Sequence, residues 1–288
     1  MIGQRGVWCA TDGMPASAAA DFAGRIESLG YSTLWLPEVF GRDPFAHIAY
    51  LATQATTLGF ATGIANIYHR LPGVMKQCAN TVAEQTGGRF TLAIGVSHHT
   101  VVAGLRGLSY DKPLTMMRGY LDAMDASPYM AAGPAEPAPR LLAALGPKML
   151  ALAAEKADGA HPYWTTPEHT AQAREILGPD KLLCVEQKVV LSSDPTAARG
   201  AAAGALSIYA TLPNYRNMWL RLGYTDEQID ARDESFLDAV VAWGTADQIE
   251  TRLKAHTDAG ANHVCIQALS VDNPFQPDER ALEALAPS

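Results

Sequence analysis

The chain lacks most of the features by which a sequence declares its chemistry outright. It has no CxxC or other close cysteine pair. Cys9, Cys78, Cys184 and Cys265 stand far apart, and three of them fall in apolar strand-like runs, where a thiol acts as a small core hydrophobe. That pattern points away from a zinc site and from a disulfide framework. There is no clustered Lys/Arg run, and 22 basic against 30 acidic residues leave a formal charge of −8. This is the wrong sign for sequence-independent nucleic-acid binding, so no nucleic-acid partner is expected. No apolar run is long enough to cross a membrane, and no charged segment followed by an apolar one opens the chain. The expected compartment is the cytoplasm. No G-x-G-x-x-G follows the first strand, where Cys9-Ala-Thr-Asp-Gly13 stands, and no G-x-x-x-x-G-K-[ST] occurs. A Rossmann fingerprint and a phosphate loop are therefore both missing. The His-x-His of metal-dependent barrel hydrolases is absent from the same place, and no metal site is expected.

What is present is a repeated joint. A helical stretch runs into a glycine, and an apolar strand-like run follows, at Ser28-Leu-Gly30, Gln85-Thr-Gly-Gly88, Lys156-Ala-Asp-Gly159 and Asp258-Ala-Gly260. Glycine ends a helix cheaply because it enters the left-handed region without a Cβ clash. A short apolar run after such a stop reads as a buried parallel strand. The spacing predicts strands at 6–10, 33–36, 59–65, 90–95, 141–144, 160–163, 182–191 and 263–268. Helices are predicted at 16–29, 44–56, 72–84, 113–124, 148–157, 167–177, 195–211 and, opened by a Thr245/Gln248 capping box, 245–258. Another helix precedes Gly244, and 212–233 reads as an insertion after the seventh strand. Eight strands, each followed by helical sequence, make a single (β/α)8 TIM barrel over residues 1–288 the first choice. An open doubly wound sheet is the alternative. In either architecture chemistry belongs at the C-terminal ends of the strands.

Several segments, in this order and spacing, resemble the luciferase-like monooxygenase superfamily. They are Leu29-Gly-Tyr-Ser-Thr-Leu-Trp-Leu-Pro-Glu38, the stretch from Thr57 to Pro72, Thr86-Gly-Gly-Arg-Phe-Thr-Leu-Ala-Ile-Gly-Val-Ser97, Leu145-Gly-Pro-Lys-Met149 with Ala157-Asp-Gly159, and Ala259-Gly-Ala-Asn-His-Val264. The branch resembled most is that of coenzyme F420-dependent oxidoreductases. The resemblance implies a barrel enzyme, F420 as cofactor with FMN as the alternative, a small-molecule substrate and a homodimer. It places the ring against Gly63, Ile64, Ala65, Asn66 and Gly95, and implies a non-proline cis peptide at Gly63-Ile64.

Gly146, Pro147 and Lys148 open a helix where backbone N–H groups could meet a cofactor phosphate. An ordinary Gly-Pro helix start is the other reading. Thr165 and Thr166 could add hydrogen bonds to the phosphate or cap the next helix. Hydride transfer needs a partner for the accompanying proton. His98, directly after the fourth strand, and Glu38, ending the second, compete for that role, with His99 behind them. Adjacent side chains on an extended segment point apart, so only one of the two histidines is expected to face the pocket. Val39 stands where sugar-phosphate dehydrogenases of this superfamily carry the histidine of an Asp-His pair, which argues against that chemistry. Arg70 could meet an anion or clamp a loop. Tyr209, Asn214 and Tyr215 of the insertion region could wall a pocket or anchor a subunit contact. Trp8 and Trp35 read as barrel packing. An FMN-dependent monooxygenase and a catalytically idle binding protein remain alternatives to the F420-dependent oxidoreductase.

Overall fold

The computed structural model describes residues 2–287. Its strands are β1 (Arg5–Trp8), β2 (Thr33–Leu36), β3 (Gly59–Thr62), β4 (Ala65–Asn66), β5 (Phe90–Gly95), β6 (Arg140–Leu142), β7 (Gly159–Ala160), β8 (Leu182–Leu191), β9 (Val241–Gly244) and β10 (His263–Ala268). All ladders are parallel. The order β10-β1-β2-β3-β5-β6-β7-β8 returns to β10 through the register His263↔Cys184 to Ala268↔Val189. An eight-stranded barrel is thereby closed, with helices outside it. The open sheet is excluded because no edge remains on this path.

The predicted elements are recovered with shifts at their ends. Proline opens the helices Pro44–Leu51, Pro72–Gln85, Pro113–Ala126, Pro147–Lys156, Pro167–Leu177 and Pro195–Leu206, as its fixed φ and missing N–H favour. The Thr245/Gln248 capping box forms with both reciprocal bonds. A second, Thr225/Gln228, opens the helix Asp226–Ala231 inside the insertion and was not anticipated. Gly30, Gly88 and Gly260 have positive φ, as the joints require. Gly159 does not. It lies inside β7, where a Cβ would overlap the Leu182 carbonyl, so this joint uses glycine for close approach. The sixth strand is shorter than expected, because Pro162 carries no N–H to continue the ladder. The run Val241–Gly244, taken with the preceding helix, is instead a strand on the outer half of β8. A four-residue apolar run is ambiguous until its pairing partner is known.

The third predicted strand is broken in two. The Gly63-Ile64 peptide is cis, and β3 gives way to β4 around it. The break is hydrogen-bonded throughout. Gly63 N donates to Leu36 O at 2.7 Å and Glu38 N to Ile64 O at 3.2 Å. Trp8 Nε1 donates to Gly63 O at 3.0 Å. The Thr62 hydroxyl accepts from Ala93 N at 2.8 Å and donates to Ala93 O at 2.7 Å, replacing the missing ladder bonds. Gly95 leaves the space that the Ile64 side chain fills.

The barrel interior is filled by Trp8, Trp35, Ala61, Ala93, Leu141, Cys184 and Cys265. Five histidines are buried, His161, His256 and His263 most completely. His263 Nε2 accepts from Trp35 Nε1 at 2.9 Å, and His256 sits between the Thr170 hydroxyl at 2.8 Å and Gln187 Oε1 at 2.9 Å. His161 Nδ1 donates to Cys184 O at 2.8 Å, and its ring stacks on Trp35 at 4.2 Å. Burial pushes His161 and His263 down to about 4 and His256 to about 3. The folded state thus binds fewer protons than the unfolded chain below pH 6.5. Stability present above pH 6.5 is lost as pH falls toward about 4, at up to about 1.4 kcal/mol per pH unit for each such group. Denaturant midpoints at pH 7 and pH 5 should show a clear loss at pH 5. A midpoint equal or higher at pH 5 would contradict the neutral assignment.

Candidate functional site

A cavity of about 790 Å³ opens at the C-terminal ends of the strands. Its floor is the β3–β4 break, with Gly63, Ile64 and Asn66, flanked by Trp8 and His161. One side is formed by Pro37 to Phe40 after β2 and by Val96 to His98 after β5. The other comes from Ala143 to Met149 after β6 and from the segment after β8. Trp8 is therefore a cavity residue, whereas Trp35 is packing alone, fully buried beneath it.

His98 lines this cavity and is oriented by the insertion. Its Nδ1 lies 3.2 Å from Asn214 Oδ1, and its ring lies 5.7 Å from that of Tyr215. Partial burial holds the imidazole below its usual pKa, with the Asn214 bond working the other way. The neutral ring donates from Nδ1 to Asn214. Nε2 has no protein partner among the described residues, so it is an acceptor available to a ligand. His99 is exposed, lies outside the cavity lining and meets Tyr110 edge-on at 6.0 Å. The two histidines diverge as expected, although His99 begins a helical turn, not an extended run.

Glu38 lines the cavity too, but its carboxylate is fully engaged. Arg70 donates to both oxygens at 2.7 and 2.9 Å, His69 Nδ1 lies 3.0 Å from Oε1, and Asn66 N donates to Oε2 at 2.8 Å. Arg70 also pairs with Asp43 and lies over the Phe45 ring at 4.8 Å. This arrangement clamps the β3–β4 break from one side. Arg70 does not line the cavity, and its guanidinium is occupied.

The Gly146 end is different in character. Gly146, Pro147 and Lys148 begin the helix Pro147–Lys156 and line the cavity. Arg221, which sequence reasoning missed, joins them. Its guanidinium reaches Leu145 O at 3.3 Å and has no carboxylate partner among the described residues. The signal was available: Asn214, Asn217 and Arg221 are three and four residues apart, on one face of the helix Pro213–Arg221, and all three line the cavity. Thr166 caps its helix by accepting from His169 N at 3.5 Å. Thr165 is fully buried, its hydroxyl has no partner, and neither threonine lines the cavity. Ala65 and Gly95 support the floor from beneath.

Sequence reasoning also missed a buried ion pair. Cys184, Glu186 and Lys188 share the inward parity of β8. Lys188 Nζ lies 3.0 and 2.9 Å from the Glu186 oxygens, and both residues are fully buried. The ammonium rests 3.6 Å from the Tyr163 ring centroid and 3.8 Å from that of Trp164. Glu186 Oε2 accepts from Trp164 N at 3.3 Å, and Trp219 Nε1 donates to Trp164 O at 3.1 Å. These contacts hold Trp164 at φ 60°, a left-handed conformation rare for tryptophan. Tyr163, Tyr209 and Tyr215 then form an aromatic wall on the cavity. Burial lowers Lys188 to about 8 and raises Glu186, each opposing the other's neutralisation. Two charged residues at i and i+2, with Gln187 between them, inside the apolar flanks of β8 were the visible signal.

A second hollow, lined in part by Met14, Arg25, Asp272 and Arg280, carries charges that are largely paired among themselves. Among the described residues no cluster of three or more His, Cys, Asp or Glu side chains is placed to hold a metal ion. No helix among them is long and apolar enough to cross a membrane.

A family model described as luciferase-like monooxygenase matches residues 2–263. The chain belongs to that family. It is similar to a putative coenzyme F420-dependent oxidoreductase of Mycobacterium tuberculosis, with 25% identity over 93% of this chain and 95% of the relative. Its fold is that of an F420-dependent secondary alcohol dehydrogenase solved with an F420-acetone adduct, at a TM-score of 0.79 and 15% identity over 99% and 98% of the two chains. The FMN-bound oxygenating constituent of 3,6-diketocamphane monooxygenase from Pseudomonas putida shares it at 0.69 and 16% identity, over 99% and 96%.

The ion pair yields a stability prediction. Lys188→Met leaves Glu186 buried without its partner and should cost about 3–5 kcal/mol. The double variant Glu186→Gln/Lys188→Met keeps an acceptor for Trp164 N and should recover most of that loss. Chemical denaturation of the two proteins checks this, and a double variant no more stable than the single would refute it.

Proposed function

We propose that this chain is an F420-dependent oxidoreductase that transfers a hydride between the deazaflavin C5 and a small organic substrate. The observation that carries the reading is one cavity with two unlike ends. Near Gly146, Lys148 and Arg221 stand without carboxylate partners among the described residues, beside a helix N-terminus, which suits the phosphate arm of such a cofactor. Over the β3–β4 break, neutral His98 offers Nε2. The residues present therefore fit the group: Gly146, Lys148 and Arg221 would hold its anionic arm, and Gly63, Ile64 and Asn66 would support its ring. When bound, the deazaflavin supplies a two-electron donor or acceptor carbon.

The chain's own part is positioning and proton transfer. Asn214 fixes the His98 ring. In oxidation of an alcohol, His98 Nε2 takes the hydroxyl proton; in reduction of a carbonyl, the imidazolium returns one to the oxygen. Glu38 is not assigned that task, because Arg70, His69 and Asn66 N already engage its oxygens. The resemblance supports reading the protein as a homodimer, and we read its compartment as the cytoplasm. Tyr50, Leu71, Val74 and Met116, exposed apolar side chains on neighbouring helices, are consistent with a subunit contact there.

Fluorescence titration of purified protein with F420, and separately with FMN, tests the cofactor. F420 should bind more tightly, and Arg221→Ala should weaken that binding roughly 10- to 100-fold through loss of a charge-assisted contact. Preference for FMN would move the reading to the monooxygenase alternative, and binding of neither would end it. His98→Ala should leave F420 affinity nearly unchanged while lowering turnover by about 10²–10⁴. The neutral ring is the base, so alcohol oxidation should be level above pH 6.5 and decline below it as His98 becomes protonated. A profile that rises on acidification would exclude His98 from the role.

A further inference from the structure

The insertion helix Pro213–Arg221 has two unlike faces. Tyr215, Met218 and Trp219 are buried in one apolar cluster with Trp164, Ile229 and Phe236. Trp219 also donates to Trp164 O. The helix is thereby fixed to the barrel from behind. Its front carries Asn214, Asn217 and Arg221, all exposed and all lining the cavity. Helix geometry puts these three within an arc of about 60° and strings them over about 10 Å.

The row runs from one end of the cavity to the other. Asn214 stands at the His98 end, with Oδ1 3.2 Å from Nδ1 of that ring. Arg221 stands at the Gly146 end, where the absence of a side chain leaves it room: a Cβ on residue 146 would lie 3.4 Å from Arg221 Nη2. Asn217 lies between them, and among the described residues its amide has no hydrogen-bond partner. The other arginine of the helix is used differently. Arg216 lies off the row and pairs with Asp226 and Asp230, which holds the insertion together. The arginine on the cavity side has no carboxylate partner among the described residues.

An amide both donates and accepts, so it suits hydroxyl groups, which do the same. A guanidinium without a carboxylate suits a phosphate. Placed in sequence, the two match a chain of hydroxyls that ends in a phosphate. On the reading that the cavity holds a deazaflavin, or the flavin alternative, that chain is the polyol joining the ring to its phosphate.

We infer that the insertion is a cofactor clamp, in which Asn217 hydrogen-bonds the hydroxylated linker and Arg221 the phosphate. The helix Pro213–Arg221 thus recognises linker and phosphate separately from the ring.

The test measures dissociation constants by fluorescence for three ligands of growing length. The first is 8-hydroxy-10-methyl-5-deazaflavin, the ring alone. Its 10-ribityl counterpart adds the hydroxyls, and F420 adds the phosphate arm. Each is titrated with the unaltered protein, with Asn217→Ala and with Arg221→Ala, after thermal unfolding has confirmed that both surface variants fold. Asn217→Ala should weaken the ribityl compound and F420 by the same factor, roughly three- to tenfold, and leave the ring alone unchanged. Arg221→Ala should weaken F420 and neither of the others. Unchanged binding of the ribityl compound and F420 by Asn217→Ala, or an equal loss for all three ligands in either variant, would overturn the clamp and leave the F420 reading standing. Lumiflavin, riboflavin and FMN form the same series for a flavin. If only these bind, the F420 reading falls, and the clamp stands or falls on whether the same pattern appears. Binding of neither series overturns both.

Discussion

The ion pair between Glu186 and Lys188 is the contact on which the upper half of the molecule depends. Two charges withdrawn from water inside a barrel are a net cost unless every remaining hydrogen-bonding position is filled. Here they are filled by the elements that must be placed. The carboxylate holds the Trp164 backbone, and the ammonium lies against the Tyr163 and Trp164 rings. Trp219 of the insertion closes on the Trp164 carbonyl. The exit of β7, the aromatic wall and the seating of the insertion are thus tied to a single strand, β8.

Strand β8 is also where the barrel closes, through its long ladder with β10. The pair therefore couples closure of the barrel to the shape of the cavity above it. On the far side a second ionic assembly does comparable work. Glu38, Arg70, His69 and Asp43 hold the loop after β2 against the β3–β4 break. The cavity floor lies between these two rigid walls. Among the described residues His98 Nε2 has no protein partner and Lys148 and Arg221 have no carboxylate partner, and all three side chains line the cavity.

Legibility in the sequence followed the range of the interactions. Proline at helix starts, glycine at helix stops and the Thr245/Gln248 box are local signals, and the elements they mark appear within a few residues of where they were expected. Gly159 sat at the right joint for a different reason, because the approach of Leu182 is not a local property. Val241–Gly244 was lost to a neighbouring helix for the same cause. In the site, the positions of His98, Gly146 and Asn214 followed from strand order and from the resemblance. That Glu38 is a clamp and not a free carboxylate did not follow, since Arg70 stands 32 residues away.

The alternation of helical and apolar segments determined the barrel by itself, because each segment's periodicity is set by its own backbone and a parallel strand must be covered on both faces. The same pattern told at which ends of the strands the cavity opens. It could not tell which charged groups would be consumed by one another. Glu186 with Lys188, Glu38 with Arg70, and Arg221 reaching across to Gly146 are meetings of side chains brought together only when the barrel closes and the insertion folds down. An ionisable group's role is decided by its partners and its access to water. Those are properties of the assembled tertiary structure and not of any segment within it.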